Sequence, residues 1–320
     1  MKPLFNQLPQ DILGAFLQQG ANPPFSALAE TPLLDLMALA RLTASSSNLK
    51  YFTCGIVNVK SGACPENCVF CAQSAHYNTN VQTYAFLRPD EVLSEVAAKL
   101  KDHHDYLGLV ASGRALAERD FDLLCRSAHL ITSEFDVRLC ASIGFLSPER
   151  ALALKQAGFA GCHHNLESAR RYFDRVCTTH QYDQRIETVK TARAAGLRVC
   201  CGGLFGLGES FEQRCELALQ LKELEVDSIP INFLIPIKGT PLEKQTIIPP
   251  EDALRTIAVF RLFNPDKDLV ICGGRLDALN SFKNLIFCAG ANGVMLGDCL
   301  TRQGCILSED VQEMSVLGIM

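Results

Sequence analysis

The feature that most constrains the fold is a repeated alternation, along most of the chain, of short apolar runs with longer amphipathic runs. The apolar runs have the length of strands, and the segments between them carry the apolar spacing of helices. Helix starts are marked, for example, by Ser147 as an N-cap with Pro148 directly after it. We predict eight strands, at Phe52–Val59, Tyr106–Ala111, Asp136–Ala141, Gly158–Asn165, Leu197–Leu204, Ser228–Leu234, Asp268–Cys272 and Gly293–Leu296.

Eight strands that alternate with helices over about 250 residues predict an α/β fold, a (β/α)8 barrel of the TIM type. An open, doubly wound sheet is the alternative, and the strand count favours the barrel. Residues 1–50 are predicted to form a helical N-terminal extension, and residues 51–320 the barrel domain. In such a barrel, ligands bind at the carboxyl ends of the strands.

Composition narrows the possible functions. The 320-residue chain has a net charge of −5, which does not suggest a nucleic-acid partner. No apolar run reaches the ~18 residues of a membrane span. The first residues lack the form of a signal peptide, so we expect a cytoplasmic protein. In a reducing cytosol, the 15 cysteines indicate metal or redox chemistry rather than disulfides.

Three of these cysteines, Cys64, Cys68 and Cys71, fall within eight residues in the loop after the first predicted strand. Their spacing suits a compact metal cluster, because thiolates are soft ligands that iron–sulfur clusters and zinc prefer. A cubane with four irons would leave one iron open to a ligand from outside the protein. Zinc with His76 as a fourth ligand is one alternative. Three packed thiols are the other, although the segment PEN between the first two cysteines is not typical of a core.

The spacing Cys-x3-Cys-x2-Cys, with the aromatic Phe70 before the last cysteine, resembles the signature of radical S-adenosylmethionine enzymes. More narrowly, the chain resembles the biotin synthase family from about Phe52 to Gly318. The segments that carry the resemblance are SGACPENCVFCAQSAHYNT, HHNLES, YDQRIETVKTARAAGLRVCCGGLFGLGE, SIPINFLIPIKGTPLE, RTIAVFR, GGR and CAGANGVMLGD.

The resemblance implies a full or partial (β/α) barrel and an enzyme that inserts sulfur into dethiobiotin to form biotin. It implies a [4Fe–4S] cluster on the three loop cysteines, with S-adenosylmethionine on the open iron as the source of a 5′-deoxyadenosyl radical. An auxiliary iron–sulfur cluster, [2Fe–2S] in the family, is thought to supply the sulfur. A one-electron reductant such as flavodoxin or ferredoxin and a homodimer are also implied. Another radical S-adenosylmethionine enzyme on the same barrel remains an alternative, as does a zinc-binding structural protein.

In the family, three cysteines and one arginine hold the auxiliary cluster. The resemblance assigns three of these positions to Cys140, Cys200 and Arg275. The remaining cysteine belongs on the second strand, where this chain has Gly108 or a neighbour and no cysteine nearby. A second departure is His163, where the family commonly has asparagine.

Two cysteines are candidates for the missing ligand. Cys54 lies on the first predicted strand, and Cys272 lies three residues before Arg275. In a regular strand, Cys272 and Arg275 would face opposite sides, and only a bulge or a strand end, which GG permits, lets both point inward. The remaining cysteines are interpreted as packing or surface residues, namely Cys125, Cys162, Cys177, Cys201, Cys215, Cys288, Cys299 and Cys305.

The resemblance also implies a set of cofactor contacts, from Phe70, Ala111, Asn165, Glu167 and Arg185. Glu167 matches the acid that binds the ribose hydroxyls, and Arg185 matches an arginine near the methionine carboxylate. Asn165 and Asn232 match the residues around the substrate. An amide can donate and accept hydrogen bonds at once, which suits the cyclic urea of dethiobiotin.

Overall fold

A closed, parallel β-barrel forms the centre of the computed structural model, which describes residues 24–102 and 104–297. Its strands are β1 (Phe52–Lys60), β2 (Tyr106–Ala111), β3 (Arg138–Ser142), β4 (Gly161–His163), β5 (Arg198–Cys200), β6 (Gly203–Phe205), β7 (Ser228–Phe233), β8 (Asp268–Ile271) and β9 (Gly293–Met295). β1 pairs with β2 on one side and with β9 on the other, and a pairing of β5 with β7 completes the ring. The predicted (β/α)8 barrel is therefore confirmed.

The prediction of one continuous strand at Leu197–Leu204 is wrong, because the structure breaks it into β5 and β6 at Cys201 and Gly202. At the break the chain runs so close to β7 that a side-chain carbon at Gly202 would collide with the Pro230 carbonyl oxygen. The Gly202 N–H donates to the side-chain oxygen of Asn165 (3.1 Å). β5 and β6 share one position round the ring, so the barrel has eight positions.

The fourth strand begins later than predicted, since β4 covers only Gly161–His163 of the predicted Gly158–Asn165. Gly158 has a φ of +99°, and the Phe159 N–H donates to the Leu154 carbonyl (3.1 Å). These residues therefore still close the preceding helix. The ends of the other strands agree with the prediction within two residues, which is the usual variation of assigned ends.

Helices alternate with the strands as the apolar spacing predicts. The predicted N-cap Ser147 accepts a hydrogen bond from the Arg150 N–H (3.3 Å). The helices are α1 (Phe25–Glu30), α2 (Leu33–Ser46), α3 (Pro89–Lys99), α4 (Glu118–Glu134), α5 (Pro148–Gln156), α6 (Tyr182–Ala194), α7 (Phe211–Glu223), α8 (Pro250–Phe263), α9 (Arg275–Leu279) and α10 (Leu285–Cys288). Short 3-10 turns lie at Leu100–Asp102, Arg170–Arg175 and Asn280–Phe282.

The first two helices lie within the predicted N-terminal extension and pack on the barrel helix α8. Arg255 of α8 donates to the carbonyls of Leu28 (2.9 Å) and Thr31 (2.8 Å), and Phe25 meets Phe263 edge to face. The division at residue 50 stays a prediction, and residues 1–23 lie outside the described residues. Within the described part of the chain, no helix is both long and apolar enough to cross a membrane.

The inner faces of the strands surround a cavity of about 400 Å³. The register pairs Ile56 of β1 with Gly108 of β2, and Gly108 with Cys140 of β3, so these residues share an inward row. Their neighbours Leu107 and Leu139 are fully buried on the outer face. Eight-stranded barrels are either filled by side chains or hold one small ligand, and this one leaves room for a ligand.

Candidate active site

The loop that holds Cys64, Cys68 and Cys71 leaves the carboxyl end of β1 and folds back on itself. The Cys64 N–H donates to the Gln73 carbonyl (2.9 Å), and the Ala75 N–H donates to the Cys64 carbonyl (2.8 Å). A turn in which the Cys71 N–H donates to the Cys68 carbonyl (3.0 Å) closes the middle of the loop. These backbone bonds bring the first cysteine back beside the last, as a site built from three thiols requires.

Burial and mutual proximity make these thiols hard to ionise without a cation. Burial raises the pKa of Cys64, and it raises the pKa of Cys71 to about 11. The nearby Cys64 adds to the rise at Cys71, because two thiolates repel each other. A positively charged metal centre would remove both penalties, so the donor set fits a metal cluster.

His76, the fourth ligand of the zinc alternative, has one ring nitrogen in a hydrogen bond to the cysteine loop. Its Nε2 lies 2.9 Å from the Pro65 carbonyl oxygen, which can only accept a hydrogen bond. Nε2 therefore carries a hydrogen in this arrangement, and Nδ1 is the ring nitrogen with a lone pair for a metal.

A second segment, residues 176–180, locks the cysteine loop in place. The Val69 N–H donates to the Val176 carbonyl (2.9 Å). The side-chain amide of Asn67 donates to the Thr178 hydroxyl (2.7 Å), and its oxygen accepts from the Thr178 N–H (2.9 Å). The Asn67 N–H donates to the Thr179 hydroxyl (3.1 Å). The loop shape thus depends on residues more than a hundred positions away in the sequence.

Cys177, interpreted from the sequence as a packing or surface residue, lies in this segment against the loop. Its sulfur, the Cys68 sulfur and a ring nitrogen of His180 all lie within 4.8 Å of one another. A hydrogen bond between the two thiols lowers the pKa of Cys177 and raises that of Cys68 in the metal-free protein. No local spacing links Cys177 to Cys68, so the sequence offered no signal for this contact.

Glu66 and His180 are polar side chains that lie next to the contact between Cys177 and Cys68. Burial alone would raise the pKa of Glu66, but hydrogen bonds from Thr179 and His180 and the charge of Arg114 hold it below its usual value. Arg114 pairs with Glu66 across 3.1 Å. Both side chains under the loop, Glu66 and His180, are buried.

Arg185 of α6 connects the loop with the end of β4. Its Nη1 donates to the Asn165 carbonyl (2.8 Å) and lies 3.6 Å from a carboxylate oxygen of Glu167. Its Nε donates to Nε2 of His180 (2.9 Å), and its Nη2 approaches the Cys68 sulfur at 3.9 Å. The guanidinium therefore lies between the cysteine loop and the cavity.

Glu167 and Asn165 line the cavity, whereas Leu166 between them is fully buried. Glu167 has a φ of +69°, an unusual conformation for a residue with a side chain. Burial raises the pKa of Glu167, and Arg185 opposes that rise. A strained backbone that points a buried carboxylate into a cavity is a frequent mark of a binding site.

Of the other residues that the sequence predicted to contact ligands, some line the cavity and one lies outside its wall. Phe70 and Asn232 line the cavity. Ala111 ends β2 as a buried residue, and the cavity wall takes Gly108 and Val110 from that strand instead. His163 lines the cavity, and burial lowers its pKa to about 4, which keeps the ring neutral.

Cys54, Cys140 and Cys200 all line the deeper part of the cavity. Burial is the main reason that the pKa values of Cys140 and Cys200 rise, the latter to about 12, and Cys54 lies near enough to raise both further. Cys54 pairs with Tyr106, two residues before Gly108. It therefore lies lower in the barrel than the row that contains Gly108 and Cys140.

Cys272 and Arg275 also both line the cavity, as the predicted strand end allows. β8 stops at Ile271, and Gly274, with a φ of +78°, turns the chain into α9. A side-chain carbon at Gly274 would collide with the Phe233 carbonyl, so only glycine fits this turn.

Arg198 is a cavity residue to which the sequence analysis gave no role. Its guanidinium lies over the Tyr106 ring at 4.8 Å and pairs with Asp268. It lies two positions before Cys200, so strand alternation places both on the inner face. That spacing was the signal that could have identified it.

Comparison with known proteins provides evidence on the family of this chain that does not depend on the geometry. The Radical SAM superfamily matches residues 58–221, and the Biotin and Thiamin Synthesis associated domain matches residues 230–320. The chain is 47% identical over 302 residues to a biotin synthase of Nitratidesulfovibrio vulgaris (strain DSM 19637 / Miyazaki F), covering 91% of this chain and 83% of that protein. It is 46% identical over 267 residues to a biotin synthase of Geobacter sulfurreducens, covering 83% of this chain and 81% of the relative.

Solved structures with the same fold are more distant in sequence. Methylornithine synthase (PylB) superposes with a TM-score of 0.79 at 17% identity, covering 92% of each chain. The FeFe-hydrogenase maturase HydG from Carboxydothermus hydrogenoformans gives 0.80 at 17% identity, covering 97% of this chain and 78% of the maturase. At this level of identity the likeness concerns the fold alone.

Proposed function

The chain belongs to the biotin synthase family of radical S-adenosylmethionine enzymes, and from that premise we propose that it inserts sulfur into dethiobiotin to form biotin. The observation that carries the proposal is one cavity with two distinct parts. Its wall runs from Phe70 in the cysteine loop, past the amides of Asn165 and Asn232, to the thiols of Cys140 and Cys200. A small ligand in this cavity would lie between two sets of cysteines.

Cys64, Cys68 and Cys71 would hold the [4Fe–4S] cluster, since their neighbouring thiols, one buried and two half-buried, need a cation to ionise readily. When bound, this cluster and S-adenosylmethionine supply a 5′-deoxyadenosyl radical, and the auxiliary cluster supplies sulfur. The protein itself contributes binding, orientation and exclusion of water.

Polar side chains around the cavity orient the two organic ligands. Glu167 would accept hydrogen bonds from the ribose hydroxyls, and Arg185, 3.6 Å from it, would take the methionine carboxylate. Asn165 and Asn232 would bind the ureido ring, because each amide both donates and accepts. Between these groups the wall is apolar, with Ile56 and Val110 among its members.

For the auxiliary cluster we propose Cys140, Cys200 and Arg275, with Cys54 in place of the missing thiol. The proximity of Cys54 to both other cysteines supports this choice. The β2 residue that pairs with Cys140 is Gly108, which has no side chain, so β2 leaves space on the cavity wall beside Cys140. Cys272 lines the same cavity and is a further candidate ligand, so the cluster can hold more than the two irons usual in the family.

Three further proposals rest on the family resemblance. The electron donor is a one-electron carrier such as flavodoxin or ferredoxin, the assembly is a homodimer, and the enzyme works in the cytoplasm.

The test is product analysis with protein that is purified and reconstituted anaerobically. We expect dithionite, S-adenosylmethionine and dethiobiotin to give 5′-deoxyadenosine and biotin, both measured by mass spectrometry. Formation of 5′-deoxyadenosine without biotin would favour another radical S-adenosylmethionine enzyme. A colourless protein that contains zinc and forms neither product would favour the zinc-binding alternative.

A further inference from the structure

The proposed function leaves Arg198, a charged residue of the cavity wall, without a role. Its guanidinium lies over the ring of Tyr106 at 4.8 Å and pairs with Asp268. Each of these three residues begins its strand, β5, β2 and β8 respectively. Round the barrel, β2 is three positions from β5 on one side, and β8 is two positions from it on the other. The Arg198 side chain therefore spans the amino end of the cavity.

The glycine at position 161 provides room for this side chain. Gly161 of β4 has Cys140 and Arg198 as its register partners on the two neighbouring strands. A side-chain carbon at Gly161 would lie 3.1 Å from the Cys140 sulfur, 3.4 Å from Cβ of Arg198 and only 2.8 Å from the Arg198 carbonyl oxygen. The side chains of Arg198 and Cys140 therefore border the same small space beside Gly161.

The two charges of the ion pair lie in different places relative to the cavity. Arg198 lines the cavity, whereas Asp268 lies outside its wall. The carboxylate oxygen of Asp268 that does not pair with Arg198 accepts a hydrogen bond from the side-chain amide of Asn292 (2.7 Å). A guanidinium is charged at any physiological pH. The cavity wall therefore carries a fixed positive charge at its amino end.

This charge acts on both cysteines that we assign to the auxiliary cluster. Burial is the main influence on Cys140 and Cys200 and raises the pKa of both, whereas the charge of Arg198 lowers the pKa of each. Asp268 raises the pKa of Cys200, but by less than Arg198 lowers it. The positive member of the ion pair therefore has the stronger effect at these sulfurs.

We propose that Arg198 is a positioning residue for the auxiliary cluster, and that its fixed positive charge raises the reduction potential of that cluster. The proposal rests on the proposed function, in which Cys140 and Cys200 are cluster ligands. A nearby positive charge stabilises the reduced cluster more than the oxidised one, because the reduced cluster carries one more negative charge. Net charge is one of the factors that set the potential of an iron–sulfur cluster.

The potential matters for sulfur transfer because of the electron count. When a carbon radical bonds to a sulfide of the cluster, the new C–S bond takes one electron from the carbon and one from a sulfur lone pair. The second electron of that lone pair passes to iron, so that one Fe(III) becomes Fe(II). No proton moves, and no external oxidant is needed. A higher potential therefore makes formation of the C–S bond more favourable.

The test is a redox titration of the reconstituted enzyme without dethiobiotin, followed by electron paramagnetic resonance. The auxiliary cluster is identified as the one whose signal does not change when S-adenosylmethionine is added. For Arg198→Gln we expect about a tenfold smaller equilibrium constant for one-electron reduction, which is a potential lower by about 59 mV. Arg198→Lys keeps the charge and is expected to shift the potential by less than half as much.

Two further variants separate the effect of charge from that of structure. Asp268→Asn removes the negative member of the ion pair, so we expect it to raise the potential. Arg138→Gln is the matched control and should keep the wild-type potential. Arg138 also lies over the Tyr106 ring, at 4.3 Å, but its side chain is 57% exposed and does not line the cavity.

Equal potentials in wild type and Arg198→Gln would overturn the proposal, as would a shift of the same size in Arg138→Gln or Arg198→Lys. A potential in Asp268→Asn that is not raised would also overturn it, since disruption of the ion pair rather than charge would then be the cause.

If Arg198→Gln does not hold the auxiliary cluster, the potential of Asp268→Asn decides, and loss of the cluster from that variant as well overturns the proposal. A wild-type protein that forms no second cluster refutes the auxiliary cluster of the proposed function. A second cluster whose potential does not respond to Arg198→Gln refutes this inference alone.

Discussion

The cysteine loop and the cysteine-lined floor of the barrel are two sulfur sites built in opposite ways. In the loop, Cys64, Cys68 and Cys71 lie within eight residues, and a few backbone hydrogen bonds bring them together. On the barrel floor, Cys54, Cys140 and Cys200 come from three strands, and only the strand register makes them neighbours.

This difference explains which of the two sulfur sites can lose a cysteine at one position and gain one at another. A loop site depends on spacing, so no cysteine can move without rebuilding the loop. A barrel floor is surrounded by inward side chains from every strand, so a thiol lost at one position can be replaced from another. The resemblance implies such a loss at Gly108 or a neighbour, and Cys54 is the proposed replacement.

The largest effect should come from breaking the loop site. Cys68→Ala is expected to remove about four irons per chain and to abolish 5′-deoxyadenosine formation, because two thiolates cannot hold a cubane that normally has three. Iron analysis and mass spectrometry measure both. The control is Cys125→Ala, a half-buried thiol on α4, which should keep iron and activity. Continued 5′-deoxyadenosine formation by Cys68→Ala would show that the cluster is held elsewhere.

The second-largest effect should come from the replacement of a cysteine on the barrel floor. Cys54→Ser is expected to lose most of the second-cluster signal in Mössbauer spectra and most of the biotin yield, while the loop cluster still cleaves S-adenosylmethionine. Cys201→Ser is the matched control, because Cys201 is fully buried but does not line the cavity. Should Cys54→Ser keep the full signal and yield, Cys54 is a packed thiol and Cys272 becomes the stronger candidate.

A partial rescue would sharpen the comparison further. In the Cys54→Ser protein, the added change Gly108→Cys places a thiol where the resemblance implies the family's second-strand ligand. A Cβ at Gly108 would meet Cγ2 of Ile56 at 3.3 Å, so the neighbouring side chain must shift by only a few tenths of an ångström. We expect the double variant to regain part of the second-cluster signal and of the biotin yield. No recovery in a folded protein would mean that the two positions are not interchangeable.

The smallest predicted effects separate the two organic ligands. Asn232→Ala should weaken dethiobiotin binding by ~1–3 kcal/mol, because buried urea groups lose their partners. Glu167→Ala should weaken S-adenosylmethionine by a similar amount. Equilibrium binding of each ligand to each variant provides the measurement. If both variants lose both ligands equally, the subsites are wrongly assigned.

Strand periodicity and local motifs explain what could be predicted from the sequence. The barrel followed from eight alternating runs, and the cysteine loop followed from one spacing. The break at Gly202 could not be predicted, because it depends on how closely the chain approaches Pro230 of another strand. The contact of Cys177 with Cys68 depends likewise on two segments far apart in the sequence. Arg198 could be predicted only in part. Its spacing from Cys200 in the sequence indicates an inward side chain, but its contacts with Tyr106 and Asp268 depend on the fold.

Asn232 has a further consequence for how a ligand is selected. Its side-chain N–H donates to the Gly203 carbonyl (3.3 Å), and its oxygen accepts from the Gly273 N–H (3.1 Å). The barrel backbone thus uses one N–H and one lone pair of this amide, and the second N–H and the second lone pair remain for a ligand. A ligand that draws the amide away and leaves these two backbone groups unpaired loses ~1–3 kcal/mol for each of them. The backbone therefore fixes the orientation of this amide before a ligand enters, and the cavity favours a guest that bonds to it without turning it.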